Sequence, residues 1–112
     1  MEPPPLSEAK LYDILIEAEA QLRPKAERMW EMIKIEPERW HAPVYGSGSH
    51  SFWAVGIIGK RVLWYNEIES EFTNSTFEKY GQISEEHFGP TELIHFLEQL
   101  IRQVDGEQAY SS

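Results

Sequence analysis

Cysteine is absent from this 112-residue sequence, and that gap removes several classes of protein at once. The fold cannot lean on disulfides, zinc cannot be held by thiolates, and no thiol nucleophile is available. Long apolar runs are missing as well. No stretch approaches a membrane span, and Met1-Glu2-Pro3-Pro4-Pro5 offers neither the basic nor the apolar region of a secretion signal. A cytoplasmic address without membrane contact is therefore expected. Basic residues are scarce, ten Lys and Arg against nineteen Asp and Glu, for a formal charge of −9. Such a chain repels a phosphate backbone, so nucleic acid is not an expected partner.

The acid is unevenly placed. Residues 41–66 contain none, whereas residues 67–112 hold ten acids against two bases. A field concentrated in the C-terminal part would steer a basic partner. What the chain does have is core material: 41% hydrophobic residues, among them four Trp, five Tyr and five Phe. With 26% charged residues this is the composition of a globular domain, and the length suits one core.

The periodicities predict an α+β domain over residues 7–104, between a flexible Pro-rich lead at 1–6 and a flexible polar tail at 105–112. Ser7 reads as an N-cap, with Leu6 and Leu11 at the spacing of a hydrophobic staple. Leu11, Ile14, Leu15, Ala18 and Leu22 then form one apolar stripe, giving a helix at about 7–22. Pro24 suits the first turn of a second helix at about 24–34, a single helix kinked at Pro24 being the alternative. Pro37 to Trp40 reads as one turn, and Pro43 to Ser51 as loop.

Phe52 to Ile58 and Arg61 to Asn66 flank Gly59-Lys60, a two-residue connection suited to a type II′ hairpin. An unbroken register sets Ile57 opposite Val62, Val55 opposite Trp64 and Trp53 opposite Asn66. Trp53, Val55, Ile57, Val62 and Trp64 then share the face that meets the helices. Phe52, Ala54, Gly56, Leu63 and Tyr65 are left on a second, unusually apolar face. Phe77 to Ile83 could add a further strand. Gly89-Pro90-Thr91 opens a closing helix at about 91–104, carrying Leu93, Ile94, Leu97, Leu100 and Ile101. The expected architecture is a central antiparallel hairpin or meander of three to four strands, with N-terminal helices and a C-terminal helix packed on one sheet face.

The residues that could carry function are few. Glu67, Glu69 and Glu71 alternate with Ile68 and Ser70, so an extended chain would put three carboxylates on one side. Two-residue spacing is wide for joint chelation, which points to an acidic partner-binding surface or a solvated face rather than a metal site. Neighbouring Tyr65 and Phe72 would extend that surface. Trp40, His41, Tyr45 and His50 bracket the Gly46-to-Ser49 loop and form a second candidate, a ligand pocket. Glu92 and His95 have one Glu-x-x-His spacing where a di-iron site needs two. Gly46-Ser47-Gly48-Ser49 lacks the strand-turn-helix setting of a nucleophile elbow, and no catalytic set, metal or cofactor is indicated.

The run Ser51-Phe52-Trp53-Ala54-Val55-Gly56-Ile57-Ile58-Gly59, continued by Val62-Leu63-Trp64-Tyr65-Asn66-Glu67-Ile68-Glu69, resembles a family of small bacterial proteins without an assigned activity. The likeness extends over about residues 30–100 and implies a bacterial source but no catalysis. The chain is also similar in style to immunity and regulatory proteins. The expectation is a non-enzymatic cytosolic module that meets a basic protein, or a second copy of itself, through its acidic flank and aromatic sheet face. A small-molecule or carbohydrate binder and a hydrolase using His41 or His50 with a Glu are the alternatives.

Overall fold

A computed structural model describes residues 6–42, 51–84 and 89–110, of 105–110 the backbone alone. The lead at 1–5 and the Gly/Ser loop, with Tyr45 and His50, lie outside the described residues. The elements are α1 (Glu8–Glu19), α2 (Pro24–Ile33), β1 (Lys34–His41), β2 (Ser51–Ile58), β3 (Arg61–Asn66), β4 (Glu71–Thr76) and α3 (Leu93–Tyr110). The strands form one antiparallel meander in the order β1-β2-β3-β4, so the chain is α+β with helices at both ends. Among the described residues no helix is long and apolar enough to cross a membrane.

Ser7 caps α1, its Oγ accepting the Lys10 N–H at 3.2 Å, and Leu6 and Leu11 pack into the same core. Pro24 restricts the residue before it, and Arg23 is extended at φ −82° and ψ 162°. The two N-terminal helices are therefore separate. Lys34 is extended in turn at ψ 146°, and the chain passes from α2 straight into β1.

That strand corrects the single turn expected at Pro37. Proline is excluded from central strands by its missing N–H, but β1 is an edge. The β1–β2 register shifts between Lys34↔Gly56 and Glu38↔Ala54, and Pro37 lies within that irregular interval.

The central hairpin also departs from simple alternation. Gly59 has φ 58° and Ser70 is the sole non-glycine with positive φ among the described residues, so Lys60 is negative, the φ pattern of a type II′ turn. Ile58↔Arg61 and Ile57↔Val62 pair as expected. The register then shifts, so that Gly56 meets Leu63, Ala54 meets Trp64 and Trp53 meets Tyr65. A bulge at Val55 is the cause, and it exchanges the side-chain faces on either side of it. Val55, Leu63 and Tyr65 pack with the helices, while Val62 and Trp64 lie in the opposite layer with Phe52 and Ala54. The expected helix-facing set is thereby split between two faces.

Both faces are covered. Leu11, Leu15, Ala26, Trp30, Ile33 and the α3 residues Leu93, Phe96, Leu97 and Leu100 close over one. On the other, Trp40, Ala42, Phe77 and Ile83 join the strand residues in a second core. Trp40 and Phe77 meet edge to face at 5.0 Å, and the Trp64 Nε1–H donates to Ser75 Oγ at 3.0 Å. The segment from Phe77 to Ile83 forms no strand. It holds β1 through one bridge, the Ile83 N–H donating to the His41 carbonyl at 2.8 Å.

Candidate functional site

Glu67, Glu69 and Glu71 do not form the expected row. Residues 67–70 are a turn, organised by Asn66, whose Oδ1 accepts the N–H groups of Ile68 at 3.0 Å and Glu69 at 3.2 Å. Ser70 completes it at φ 55°, which breaks the alternation on which the row depended. The three carboxylates consequently have three different surroundings.

Glu67 turns inward and grips the start of the chain. Its carboxylate accepts Arg39 Nη1–H at 2.6 Å and the Leu6 N–H at 2.5 Å, with the two side chains only 25% and 17% exposed. Arg39 Nη2–H and Trp53 Nε1–H both donate to the Leu6 carbonyl, at 2.7 and 2.9 Å. The guanidinium also lies 4.6 Å from the Trp53 ring centroid. Leu6 thus has both backbone polar groups held by side chains, and Glu67 is a structural clasp. Glu69 is exposed on the turn.

Glu71 belongs to a different feature, a cleft of about 380 Å³ between α1, the β3–β4 end of the sheet and the start of α3. Ile14, Glu17, Ala18 and Gln21 form the α1 wall, which follows from their helical spacing. Tyr65 and Phe72 are cross-strand partners with ring centroids 5.1 Å apart, and they form the floor. The opposite wall is Thr91, Glu92, Leu93 and Ile94, held against the sheet edge because the Thr91 N–H donates to the Phe72 carbonyl at 2.9 Å.

Three carboxylates, Glu17, Glu71 and Glu92, therefore come from three separate elements, and no Lys, Arg or His lines the cleft. Among the described residues no three His, Asp or Glu approach closely enough to hold a metal ion. Tyr65 is 8% exposed and its hydroxyl makes no hydrogen bond among the described residues.

Of the acidic and aromatic residues singled out from sequence, Tyr65, Glu71 and Phe72 meet in this cleft, while Glu67 and Glu69 stand apart. Tyr65 and Phe72 are core residues, 8% and 7% exposed, rather than an open aromatic face. Glu17, Gln21, Thr91 and Glu92 also line it, from the face of one helix and the approach to another. Their only local signal is a polar residue flanking an apolar stripe, and no spacing relates residue 17 to residue 92.

The other candidate pocket is not assembled among the described residues. Trp40 is 1% exposed in the second core, and its neighbour Tyr80 donates from its hydroxyl to Glu38. His41 is half-buried and its side chain has no ion pair or hydrogen bond among the described residues, so no His–Glu dyad forms there. Against known proteins, no family model, curated protein or solved structure matches this chain.

Proposed function

We propose that this chain is a non-enzymatic cytosolic binding module, immunity-like or regulatory, that receives a basic protein partner at the cleft between α1, β4 and α3. The observation that carries the reading is the cleft's lining: Glu17, Glu71 and Glu92 at its walls, Tyr65 and Phe72 at its floor, and no base. Acids on three sides of an apolar floor complement a cationic surface in charge. The wider groove beside it, lined by Arg61, His95, Glu98 and Arg102 among others, mixes both signs and selects no partner. The overall charge of −9 acts in the same direction at longer range, raising the encounter rate with a basic surface.

The test is a titration of the full chain with a Lys/Arg-rich peptide, followed by backbone amide shifts at two salt concentrations. Saturable shifts at Ser70, Glu71, Thr91 and Ile94 are expected, weakening as salt rises. The combined Glu17→Lys, Glu71→Lys and Glu92→Lys variant should lose them while keeping its unfolding transition. Shifts that map to another face, or a charge-reversed variant that binds equally well, would refute the reading.

A further inference from the structure

We infer that α1 is a hinged lid, fastened at its entrance by Glu67 and at its exit by Glu19, which opens as one unit while the sheet stays folded. Among the described residues no backbone hydrogen bond joins α1 to any other element, and the backbone bonds that flank it all stay within residues 7–22. The other helices are tied in differently. α2 runs without a break into β1 at Lys34, and the lead into α3 is bonded to the sheet edge through the Thr91 N–H and the Phe72 carbonyl. Side-chain contacts alone hold α1 down, and within the helix only Leu11 and Leu15 are buried.

The fastenings sit at the two ends. At the entrance, Leu6 is gripped by Glu67 from the turn after β3, by Arg39 from β1 and by Trp53 from β2. At the exit, Glu19 Oε2 accepts the Trp30 Nε1–H at 2.6 Å, which ties the last residue of α1 to a buried indole of α2. Beyond it the chain turns through residues 20–23, and Pro24 holds Arg23 extended, so the helical ladder of α1 cannot continue into α2. A helix joined to the rest by a turn at one end and clasped by side chains at the other can leave without breaking a sheet ladder. Opening carries Glu17 away and removes one wall of the acidic cleft. That consequence rests on the cleft being a binding site, whereas the opening itself does not.

Native-state hydrogen exchange of the full chain, in urea well below the unfolding midpoint, tests this without any ligand. The amides of residues 11–20 should share one protection factor, at least about tenfold below that of the β2 and β3 amides. Glu67→Ala should lower protection of all the α1 amides together by at least about tenfold, as expected for one partner of a largely buried pair. The strand amides should fall by the same factor, because global unfolding includes the loss of α1. Glu19→Ala, which breaks the bond to the Trp30 indole, should lower the same α1 set by about three- to tenfold, the range for one hydrogen bond. Ile83→Val removes one carbon from the core on the opposite sheet face. It should lower protection of the strand amides by about two- to tenfold and leave the α1 amides as they are.

Equal loss of α1 and strand protection in Ile83→Val would show that α1 leaves only with the whole fold, and the inference would fall. If Glu67→Ala changed only the amides nearest Ser7, or Glu19→Ala only those of the last turn, the two ends would be fraying separately and there would be no lid. In either event the acidic cleft keeps its own test, the peptide titration, so the two fail independently.

Discussion

Replacing Glu67 with alanine probes the clasp directly. Glu67→Ala removes a 2.6 Å ion pair to Arg39 and a 2.5 Å hydrogen bond from the Leu6 N–H, in a place where both charged side chains are at least three-quarters buried. An exposed pair would be worth about 0–1 kcal/mol, and removing one partner of a fully buried pair costs about 3–5 kcal/mol. Arg39 is not stranded, since it still donates to the Leu6 and Ser51 carbonyls and stacks on Trp53. The expected loss is therefore intermediate, about 2–3 kcal/mol. At the urea dependence typical of a chain this size, that lowers the unfolding midpoint by about 1–2 M with no change of slope. Glu69→Ala, two residues on and exposed, is the control and should stay within about 0.5 kcal/mol of wild type. A double-mutant cycle with Arg39→Ala should return a coupling of about 1–2 kcal/mol. Indistinguishable midpoints for the two Glu variants would show that the clasp contributes nothing, and the reasoning from its burial would be wrong.

Gly56→Ala tests the contact between the bulge and α2: an added Cβ would lie 3.0 Å from Trp30 Cζ3 and 3.5 Å from the Ile33 carbonyl oxygen. Trp30 is 2% exposed and its Nε1–H donates to Glu19 at 2.6 Å, so it cannot step aside, and a loss of about 1–3 kcal/mol is expected by urea unfolding. A stability equal to wild type would mean that the indole shifts freely. For Tyr80, the hydroxyl's hydrogen bond to Glu38 exists only while the phenol is protonated, and burial and the nearby negative charge act in the same direction, raising its pKa above the ordinary 10.0. The sign follows: this bond stabilises the fold fully below pH 10 and its contribution is lost as pH rises through the folded-state value. Tyr80 is 62% exposed, so the effect belongs in a 295 nm absorbance titration rather than in stability. One tyrosine should titrate late and return toward its ordinary value in Glu38→Ala, and an unaltered titration in that variant would dismiss the contact.

The helices were legible because their signals are local. Ser7, Pro24 and the apolar stripes each act within a turn or two, and the observed starts of α1 and α2 agree with them. The faces of the sheet were less legible, although the sequence contains the cue. A glycine inside a strand marks a bulge or a close approach, and Gly56 is both, sitting beside the register shift and under Trp30. Taking the alternation straight through it moved Val62 and Trp64 to the wrong layer. The carboxylate row failed for a related reason: Asn66 and Ser70 fold the chain into a turn where strict period-two alternation suggested a strand.

The cleft was illegible for a different physical reason. Its floor is a cross-strand pair, Tyr65 and Phe72, whose contact depends on the β3–β4 register. Its walls are placed by tertiary bonds, the Thr91-to-Phe72 bridge on one side and the packing of α1 on α3 on the other. No composition rule relates Glu17 to Glu92, because their proximity is a property of the assembled core. The clasp enters here as well. By fixing Leu6 at the entrance to α1, Glu67 and Arg39 hold the helix that presents Glu17, so the acid that does not line the cleft still determines where one of its walls stands. It follows that Glu67→Ala should weaken binding of a cationic peptide without touching it. A variant that lost stability yet bound the peptide unchanged would separate the clasp from the site.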